Sequence, residues 1–233
     1  PVTQFMQNCT LLWCDETHEA ALVDPGGEAP RLLQTVRELG LTLTGIWLTH
    51  GHLDHVGAAD ELRQATGCSI TGPQKADAFW LEALPAQSEM FGFARTEAFT
   101  PDLWLNEGDW LSVGQQRLEV LHCPGHTPGH VIFYSQPNKL ALVGDVLFQG
   151  SIGRTDLHGG SDAAMRRSAL TGHRSESDRS AKNAQNRRVP MPRLHRPKVY
   201  ARYSRVEATH LRRQMLFLAG GIGVTPFLAL LEA

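Results

Sequence analysis

Apolar residues in the first part of the chain switch repeatedly between the alternating spacing of a strand and the wider spacing of an amphipathic helix. In chain order this pattern predicts a strand, a strand, a helix, a strand and a helix, at 9–14, 20–24, 32–39, 45–48 and 54–66. Gly40 and Gly67 lie where the two helices should end, as glycine does at many helix C-termini. Strands and helices that alternate in this way indicate a layered α/β fold.

The following part of the chain divides into an irregular stretch and three strands. Residues 72–109 contain prolines and scattered aromatics, which predicts short helices and a long loop. These aromatic side chains could line a substrate groove or pack beneath the loop, and packing is the expectation. Apolar alternation then predicts strands at 118–122, 131–134 and 140–145.

The composition is that of a globular protein. Of the 233 residues, 42% are hydrophobic. No apolar run approaches the roughly 20 residues of a membrane span, and no secretory signal is visible at the first residues. The four cysteines form no Cys-x-x-Cys pair and are interpreted as free thiols of a reducing compartment. We therefore expect a cytoplasmic protein that has no membrane partner.

The net charge of −2 hides two oppositely charged regions. Residues 1–165 carry 8 Lys and Arg against 20 Asp and Glu, whereas residues 166–213 carry 14 basic residues against 3 acidic ones. This step predicts a main domain at 1–165, a basic segment of unknown role at 166–213 and an apolar tail at 214–233. The basic segment could bind nucleic acid, but it contains no recognisable binding fold, so a poorly ordered linker is the expectation.

Three imidazoles and a carboxylate crowd into the sequence Thr-His-Gly-His-Leu-Asp-His at 49–55, directly after a predicted strand. On a tight strand-to-helix loop such side chains can converge on one point, and imidazole with carboxylate suits zinc and similar metals. Two later strands end in the same chemistry, since one leads to a loop that presents His126 and the other ends at Asp145. His130, in the same loop as His126, is either another ligand or a hydrogen-bonded anchor of the loop.

The chain carries three motifs in the order and spacing of one family, namely THGHLDH at 49–55, PGHTPGH at 124–130 and LVGDVLF at 142–148. They resemble the metallo-β-lactamase superfamily, and within it the hydroxyacylglutathione hydrolases, or type II glyoxalases, especially the small bacterial ones. Further likeness lies at 88–92, 104–109 and 153–156. The resemblance covers about residues 1–160 and implies an α/β fold, the αβ/βα four-layer sandwich, with an atypical C-terminal third.

The resemblance also implies a site for two metal ions. The candidate ligands are His50, His52 and His126 for one metal, Asp54 and His55 for the other, and Asp145 as the bridge. Zinc is the expected metal at both positions, with iron or manganese as alternatives. Two neighbouring cations lower the pKa of a shared water, and the hydroxide formed can attack a carbonyl carbon. Asp54, which would also orient the nucleophile, and Asp145 are the catalytic candidates.

The reaction that the resemblance implies is hydrolysis of a glutathione thioester to glutathione and a hydroxy acid. A thioester suits the site because a thiolate leaves without a strong general acid. Arg154 matches the basic residue with which glutathione thioesterases of this family hold the glycine carboxylate, although it could instead form a surface salt bridge. Three other functions stay open, namely a β-lactam hydrolase, a persulfide dioxygenase with a single iron and a catalytically impaired metal-binding protein.

The chain departs from this family about forty residues after Asp145. Related enzymes complete the second metal site with a further histidine downstream, at a point where this chain has Ala, Gln and Asn at 184–186. His173 comes too early and His195 too late in the sequence to match it. We therefore expect the second metal to bind more weakly than the first.

The apolar tail resembles a different family. Residues 215–219 are typical of a strand, 220–226 of a glycine-rich turn and 227–231 of a helix. This succession is similar to the first strand, loop and helix of the nucleotide-binding half of ferredoxin-NADP reductase-like flavoenzymes, where glycine amides meet a pyrophosphate. A single unit cannot build a nucleotide pocket, so no NADP binding is expected, and the tail should cover apolar surface of the main domain.

Overall fold

A computed structural model describes residues 1–148 and 151–171, together with the backbone of three short strands at 199–200, 215–219 and 227–229. In chain order the strands are β1 Thr10–Trp13, β2 Glu19–Val23, β3 Thr42–Trp47, β4 Ile70–Thr71, β5 Trp110–Val113, β6 Gln116–His122, β7 Val131–Ser135, β8 Leu140–Gly144, β9 Leu147–Phe148, β10 Ser151–Ile152, β11 Val199–Tyr200, β12 Met215–Ala219 and β13 Phe227–Ala229. The helices are α1 Ala29–Glu38, α2 Leu53–Val56, α3 Ala59–Thr66, α4 Ala78–Glu82, α5 Leu84–Phe91 and α6 Asp162–Thr171, with a short 3-10 turn at Lys75–Asp77.

The strands form two large sheets and one small one. The first large sheet has the order β11-β1-β2-β3-β4, in which β2, β3 and β4 run parallel. The second has the order β13-β12-β8-β7-β6-β5, in which β5 to β8 form an antiparallel meander. Because β7 is antiparallel to both of its neighbours, β6 and β8 end at the same edge of this sheet.

The two large sheets pack face to face with helices on both outer sides. Trp47 of the first sheet meets Phe133 of the second in the apolar layer between them, with ring centroids 5.8 Å apart. Apolar residues of α1 and α3 cover the outer face of the first sheet, and Met165 of α6 packs on the outer face of the second. The chain thus has the four layers helix, sheet, sheet and helix, which confirms the predicted αβ/βα sandwich.

One long helix predicted at 54–66 is in fact two short helices. Helix α2 ends at Val56 and α3 begins at Ala59, and between them the Ala58 amide donates to the carbonyl of Pro25 at 2.9 Å. The chain passes so close to the Gly26 carbonyl that a Cβ on Gly57 would lie 2.5 Å from that oxygen. Contact with the loop after β2 therefore interrupts a helical pattern that continues in the sequence.

The C-terminal tail contains a strand where the sequence predicted a helix. Residues 215–219 form the expected strand, but Phe227–Ala229 form a second strand that pairs antiparallel with it. A short apolar run does not distinguish strand from helix, and here pairing with the neighbouring strand decides. The prediction at 227–231 was wrong for these three residues, and the other two lie outside the described part.

The proposed boundary at 165/166 falls inside α6, so at least the start of the basic segment continues the main domain. Strand β12 adds to the second sheet by parallel pairing with β8, and β11 extends the first sheet beside β1. The division into three segments stays a prediction. All four cysteines are free, as expected. In the described part, no helix has both the length and the apolar character to cross a membrane.

Candidate metal centre

The predicted ligands come together where three strands end. Strand β3 leads through residues 48–52 into α2, β6 leads into the loop 123–130, and β8 ends directly before Asp145. These chain segments meet at one edge of the sandwich, and all six predicted ligands lie within one cluster. Four of them are imidazoles, and each of the four is at most 8% exposed.

Three imidazole nitrogens and one carboxylate oxygen define what we call the first position. Nδ1 of His52 lies 3.1 Å from Nε2 of His50 and 2.9 Å from Nε2 of His126. Oδ2 of Asp145 lies 3.4 Å from the same Nε2 of His126. Tetrahedral zinc with bonds of about 2.0–2.1 Å separates its ligand atoms by about 3.3 Å, so this spacing fits a metal ion.

The outer nitrogens of two of these histidines fix which ring nitrogen is free to bind. Nδ1 of His126 donates to the carbonyl oxygen of Arg154 at 2.8 Å, and a carbonyl can only accept. Nδ1 of His50 lies 3.0 Å from Oγ1 of Thr49, whose own hydrogen goes to the Asp24 carboxylate at 2.6 Å. Both rings therefore direct the lone pair of Nε2 into the first position.

Three further donors define the second position. Nε2 of His55 lies 3.3 Å from Oδ1 of Asp145 and 3.7 Å from Oδ2 of Asp54. Nε2 of His55 and Oδ1 of Asp145 are both fully buried without a hydrogen-bond partner among the described residues. Buried polar atoms are rarely left unpaired in folded proteins. A cation between them would satisfy both atoms, so this donor set also fits a metal.

Asp24 supports both positions from outside, and the sequence reasoning missed it. Its carboxylate accepts hydrogen bonds from the amide and hydroxyl of Thr49, at 2.8 and 2.6 Å, and from Nδ1 of His55 at 3.0 Å. Asp24, His50 and His55 also lie close enough to hold an ion. We assign Asp24 no metal, because three donors already occupy its oxygens. Like Asp145, it directly follows an apolar strand, which was an available signal.

Asp77 is a second buried carboxylate that the sequence reasoning missed. It accepts from the Gly51 amide at 3.0 Å on one ligand loop, and from the Thr127 hydroxyl at 2.7 Å and the Gly129 amide at 2.5 Å on the other. It thereby ties the loop of His52 to the loop of His126. Asp77 lies in the irregular part of the sequence, where no periodicity marks it.

His130 anchors its loop. Its Nε2 accepts a hydrogen bond from the Asp145 amide at 3.0 Å, and its ring stacks on His50 with centroids 4.7 Å apart. Of the two roles that the sequence left open for His130, these contacts correspond to the hydrogen-bonded anchor. Close packing continues at Gly153, where a Cβ would lie 1.9 Å from the Asp145 carbonyl oxygen. Only glycine fits at that point.

Burial and neighbouring charge separate the protonation states of the two positions. Burial lowers the pKa of His50 and His52 well below the usual histidine value, and nearby histidines lower it further. Burial acts in the same direction on His55, but the carboxylates of Asp145 and Asp54 outweigh it and raise that pKa well above its usual value. Burial raises the pKa of Asp54, whereas His55 and His126 outweigh burial at Asp145 and lower its pKa.

Arg154 lies beside the cluster, with its side chain in solvent. Its guanidinium is 61% exposed and binds Asp156 through two hydrogen bonds of 2.7 Å. This ion pair lowers the pKa of Asp156 to about 2. This contact is the surface salt bridge that the sequence analysis gave as the alternative role of Arg154. The backbone carbonyl of Arg154 accepts the hydrogen bond from His126, which fixes the residue next to the first position.

Aromatic residues of the irregular part lie in two different surroundings. Phe93, Phe99 and Trp104 pack against the apolar core beneath the first sheet, as expected. Trp80 instead contacts His52 with ring centroids 4.5 Å apart, and Phe79 lies against Trp80. The aromatic rings at 79–80 therefore form a wall of the metal centre.

In the described part, the remaining histidines do not reach the cluster. His18 is exposed in a turn, Nε2 of His122 hydrogen-bonds the Pro128 carbonyl at 2.9 Å, and His158 lies against Phe79. His173 and His195, the two alternatives for the missing ligand, lie outside the described residues.

Comparisons with known proteins agree with this geometry. The family model described as the metallo-beta-lactamase superfamily matches residues 2–198. The hydroxyacylglutathione hydrolase GloC of Haemophilus influenzae is 54% identical over 157 residues, which cover 67% of this chain and 74% of that protein.

Two solved structures share the fold over most of their length. The BLEG-1 B3 metallo-beta-lactamase superposes with a TM-score of 0.71 at 29% identity, covering 97% of this chain and 91% of the other. The di-iron-bound form of TTHA1623 gives a TM-score of 0.66 at 34% identity, covering 73% and 82%. Both similarities include the sandwich on whose edge the cluster lies.

Proposed function

Because this chain belongs to the metallo-β-lactamase superfamily and is a metallo-hydrolase, we propose that it hydrolyses glutathione thioesters to glutathione and a hydroxy acid. The observation that carries the proposal is the convergence of two metal-binding donor sets on Asp145, next to the backbone of Arg154, whose carbonyl accepts from His126 and whose side chain is exposed. The 54% identity to a hydroxyacylglutathione hydrolase supports the choice of substrate.

We assign the metal ligands as the sequence predicted them. His50, His52 and His126 would hold one ion and Asp54 and His55 would hold the other, while the two oxygens of Asp145 face one position each. Nitrogen with carboxylate oxygen suits zinc and also iron, and TTHA1623 has been solved in a di-iron-bound form. When bound, such ions lower the pKa of a water and polarise the carbonyl of the substrate.

The two carboxylates have separate tasks. Asp145 stays ionised, because its pKa is held low by His55 and His126, and so supplies fixed negative charge between the positions. Asp54, whose pKa burial raises, accepts a hydrogen bond from the attacking water and orients it towards the substrate carbonyl. The leaving group needs no strong general acid, because a thiol, with a pKa of about 8.5, is acidic enough to leave as the thiolate.

Arg154 supplies specificity for the glutathione part of the substrate. Its Nε and Nη2 already bind Asp156, which leaves the hydrogens of Nη1 for the glycine carboxylate of glutathione. Asp156 thereby fixes the orientation of an otherwise exposed, flexible side chain.

The test is steady-state hydrolysis of S-lactoylglutathione by the metal-loaded protein and its variants. Arg154→Ala should raise KM about tenfold or more with little change in kcat, because a hydrogen bond to a charged group contributes about 1.5–3 kcal/mol. The KM of Arg154→Lys should lie between that of Arg154→Ala and that of the parent protein. Arg95→Ala, which removes another exposed arginine paired with a carboxylate, is the matched control.

A second substrate, a thioester that lacks the glutathione carboxylates, distinguishes an effect on glutathione binding from an effect on hydrolysis itself. If Arg154 binds the carboxylate, Arg154→Ala should leave KM for that thioester unchanged. Equal effects on both substrates, or no thioester turnover at all, would contradict the proposal.

A β-lactam hydrolase is the second candidate, because the BLEG-1 structure aligns with 97% of this chain. The same preparation should therefore be assayed on a β-lactam. A larger kcat/KM for the β-lactam than for the thioester would reverse the assignment.

A further inference from the structure

We propose that the indole face of Trp80 accepts a hydrogen bond from Nε2–H of His52 and so positions this histidine for metal binding. The inference rests on the ligand role proposed above for His52. It adds a contact of an unusual kind, in which an aromatic ring replaces the oxygen that normally holds a metal-binding histidine from behind.

The other proposed histidine ligands each have an oxygen partner on the outer ring nitrogen. Nδ1 of His50 meets the Thr49 hydroxyl at 3.0 Å, and Nδ1 of His126 meets the Arg154 carbonyl at 2.8 Å. Nδ1 of His55 meets the Asp24 carboxylate at 3.0 Å. His52 is turned the other way, because it directs Nδ1 towards the first position.

The outer nitrogen of His52 therefore needs a partner that is not an oxygen. Nε2 of His52 is buried, and no described polar atom lies within hydrogen-bond geometry of it. The neighbour that the structure provides is the ring of Trp80. Its centroid lies 4.5 Å from that of His52, and the two rings are nearly perpendicular at 79°.

Nε1 of Trp80 is also buried without a described partner, so the perpendicular contact fits either ring as the edge, and the chemistry favours the histidine. A histidine that binds metal through Nδ1 carries its proton on Nε2, and coordination makes that N–H more positive. The indole has the most negative face of the aromatic side chains, and N–H contacts to aromatic faces stabilise proteins. The reverse contact, from the indole N–H to an electron-poor metal-bound imidazole, is weaker.

Trp80 is itself held in place by the chain that carries His52. Its backbone carbonyl accepts from Nε2 of Gln87 at 2.8 Å, and Oε1 of the same Gln87 accepts from the Leu53 amide at 2.9 Å. A Cβ on Gly51 would lie 2.7 Å from Cβ of Trp80, so the ligand loop passes directly over the tryptophan. The indole is thus fixed relative to both neighbours of His52.

The direct test is nuclear magnetic resonance of the imidazole hydrogens with histidine labelled by nitrogen-15. In the zinc-loaded protein, the Nε2 proton of His52 should be observable, slow to exchange and shifted upfield by the indole ring current. The signal is assigned by its loss in His52→Gln. Trp80→Leu should abolish the upfield shift, whereas Trp80→Phe, which retains an aromatic face, should keep part of it.

Zinc affinity of the first position provides the second measurement, by competition with a chromophoric chelator. Outer partners of metal-binding histidines typically contribute about 10–100-fold in affinity, and for this weaker contact we expect about tenfold in Trp80→Leu. Trp80→Phe should restore most of the affinity. Trp110→Leu, which removes an exposed tryptophan on β5, is the control and should bind zinc as the parent protein does.

The outcomes separate this inference from the proposed function. An Nε2 proton of His52 without an upfield shift, or equal affinities for Trp80→Leu and the parent protein, would overturn the role of Trp80 while leaving His52 a ligand. If zinc does not perturb the His52 nitrogens at all, His52 is no ligand, and both this inference and the ligand assignment fail.

Discussion

The first and second positions of the metal centre share Asp145 but differ in how they are charged. The first collects three imidazoles, and for two of them, His50 and His52, burial lowers the pKa, so that their lone pairs are available without loss of a proton. The second contains one imidazole among carboxylates, and the pKa of that histidine is raised well above its usual value. In the metal-free protein, a protonated His55 therefore supplies the positive charge that a metal ion would supply at the second position.

This difference shows that preorganisation for a metal depends on protonation as well as on distance. Both positions bring their donors within a few ångströms, yet a metal at the second must displace the proton that the raised pKa keeps on His55, whereas the lowered pKa values of His50 and His52 favour neutral rings at the first. The number of ligands also favours metal binding at the first position, since the described residues supply four donors to it and three to the second. The predictions below test this asymmetry.

Loss of a ligand at the first position should have the largest effect. His126→Ala should remove the first ion and lower kcat/KM by about 10³-fold, because a bound metal contributes several kcal/mol of transition-state stabilisation. Metal content and thioester turnover are measured on the same sample. His18→Ala, at an exposed histidine in a turn, is the control, and a His126→Ala protein with full activity would refute the ligand assignment.

Replacement of the outer carboxylates should affect the two positions differently. Asp77→Asn should lower the metal affinity of the first position about 10–100-fold, because Asp77 joins the loops of His52 and His126. Asp24→Asn should weaken the second position most, because it removes the charge that holds Nδ1 of His55. Chelator competition would show two binding steps.

Asp109→Asn, which alters a carboxylate that caps a turn away from the site, is the control for both variants. The asymmetry would be wrong if Asp77→Asn weakened the second step more than the first.

Local patterns in the sequence were enough to predict a layered α/β fold with donors at the ends of strands, and the family resemblance added the four-layer sandwich and the set of six ligands. Alternation, helix stops and ligands at strand ends are visible within a few residues of one another. Asp24, Asp77 and Trp80 were missed as parts of the site because their roles come from contacts across the fold. Asp77, for example, bonds with Gly129, which lies far along the chain.

The errors of the sequence analysis have the same origin. The helix predicted at 227–231 and the continuous helix at 54–66 were both locally reasonable. Strand pairing in the tail and the Ala58 amide bond to Pro25 override these local patterns.

Metal stoichiometry should show the weaker second position directly. After dialysis against a mild chelator, we expect about one ion per chain, with the second ion bound about tenfold or more weakly, since each 1.4 kcal/mol of lost interaction corresponds to tenfold in affinity. Plasma mass spectrometry of samples dialysed at increasing chelator concentration would measure both. Two ions retained equally would mean that a residue outside the described part supplies the missing ligand.

The smallest expected effect is on the pH dependence of the metal-free protein, where the two positions act with opposite sign. His50, His52 and His130 have pKa values lowered in the folded state, so below the unfolded value of about 6.5 the unfolded chain binds more protons and stability is lost as pH falls. His55 has a raised pKa, so its contribution is complete below that value and is lost as pH rises through the folded pKa.

The three histidines with lowered pKa values outweigh His55. The free energy of unfolding of the metal-free protein should therefore fall as the pH is lowered from about 7.5 to about 5.5, and urea titration in the presence of a chelator would measure it. His55→Gln removes the opposing contribution and should make the fall steeper. A protein that becomes more stable as the pH falls would mean that the second position, with its protonated His55, dominates the titration of the whole centre.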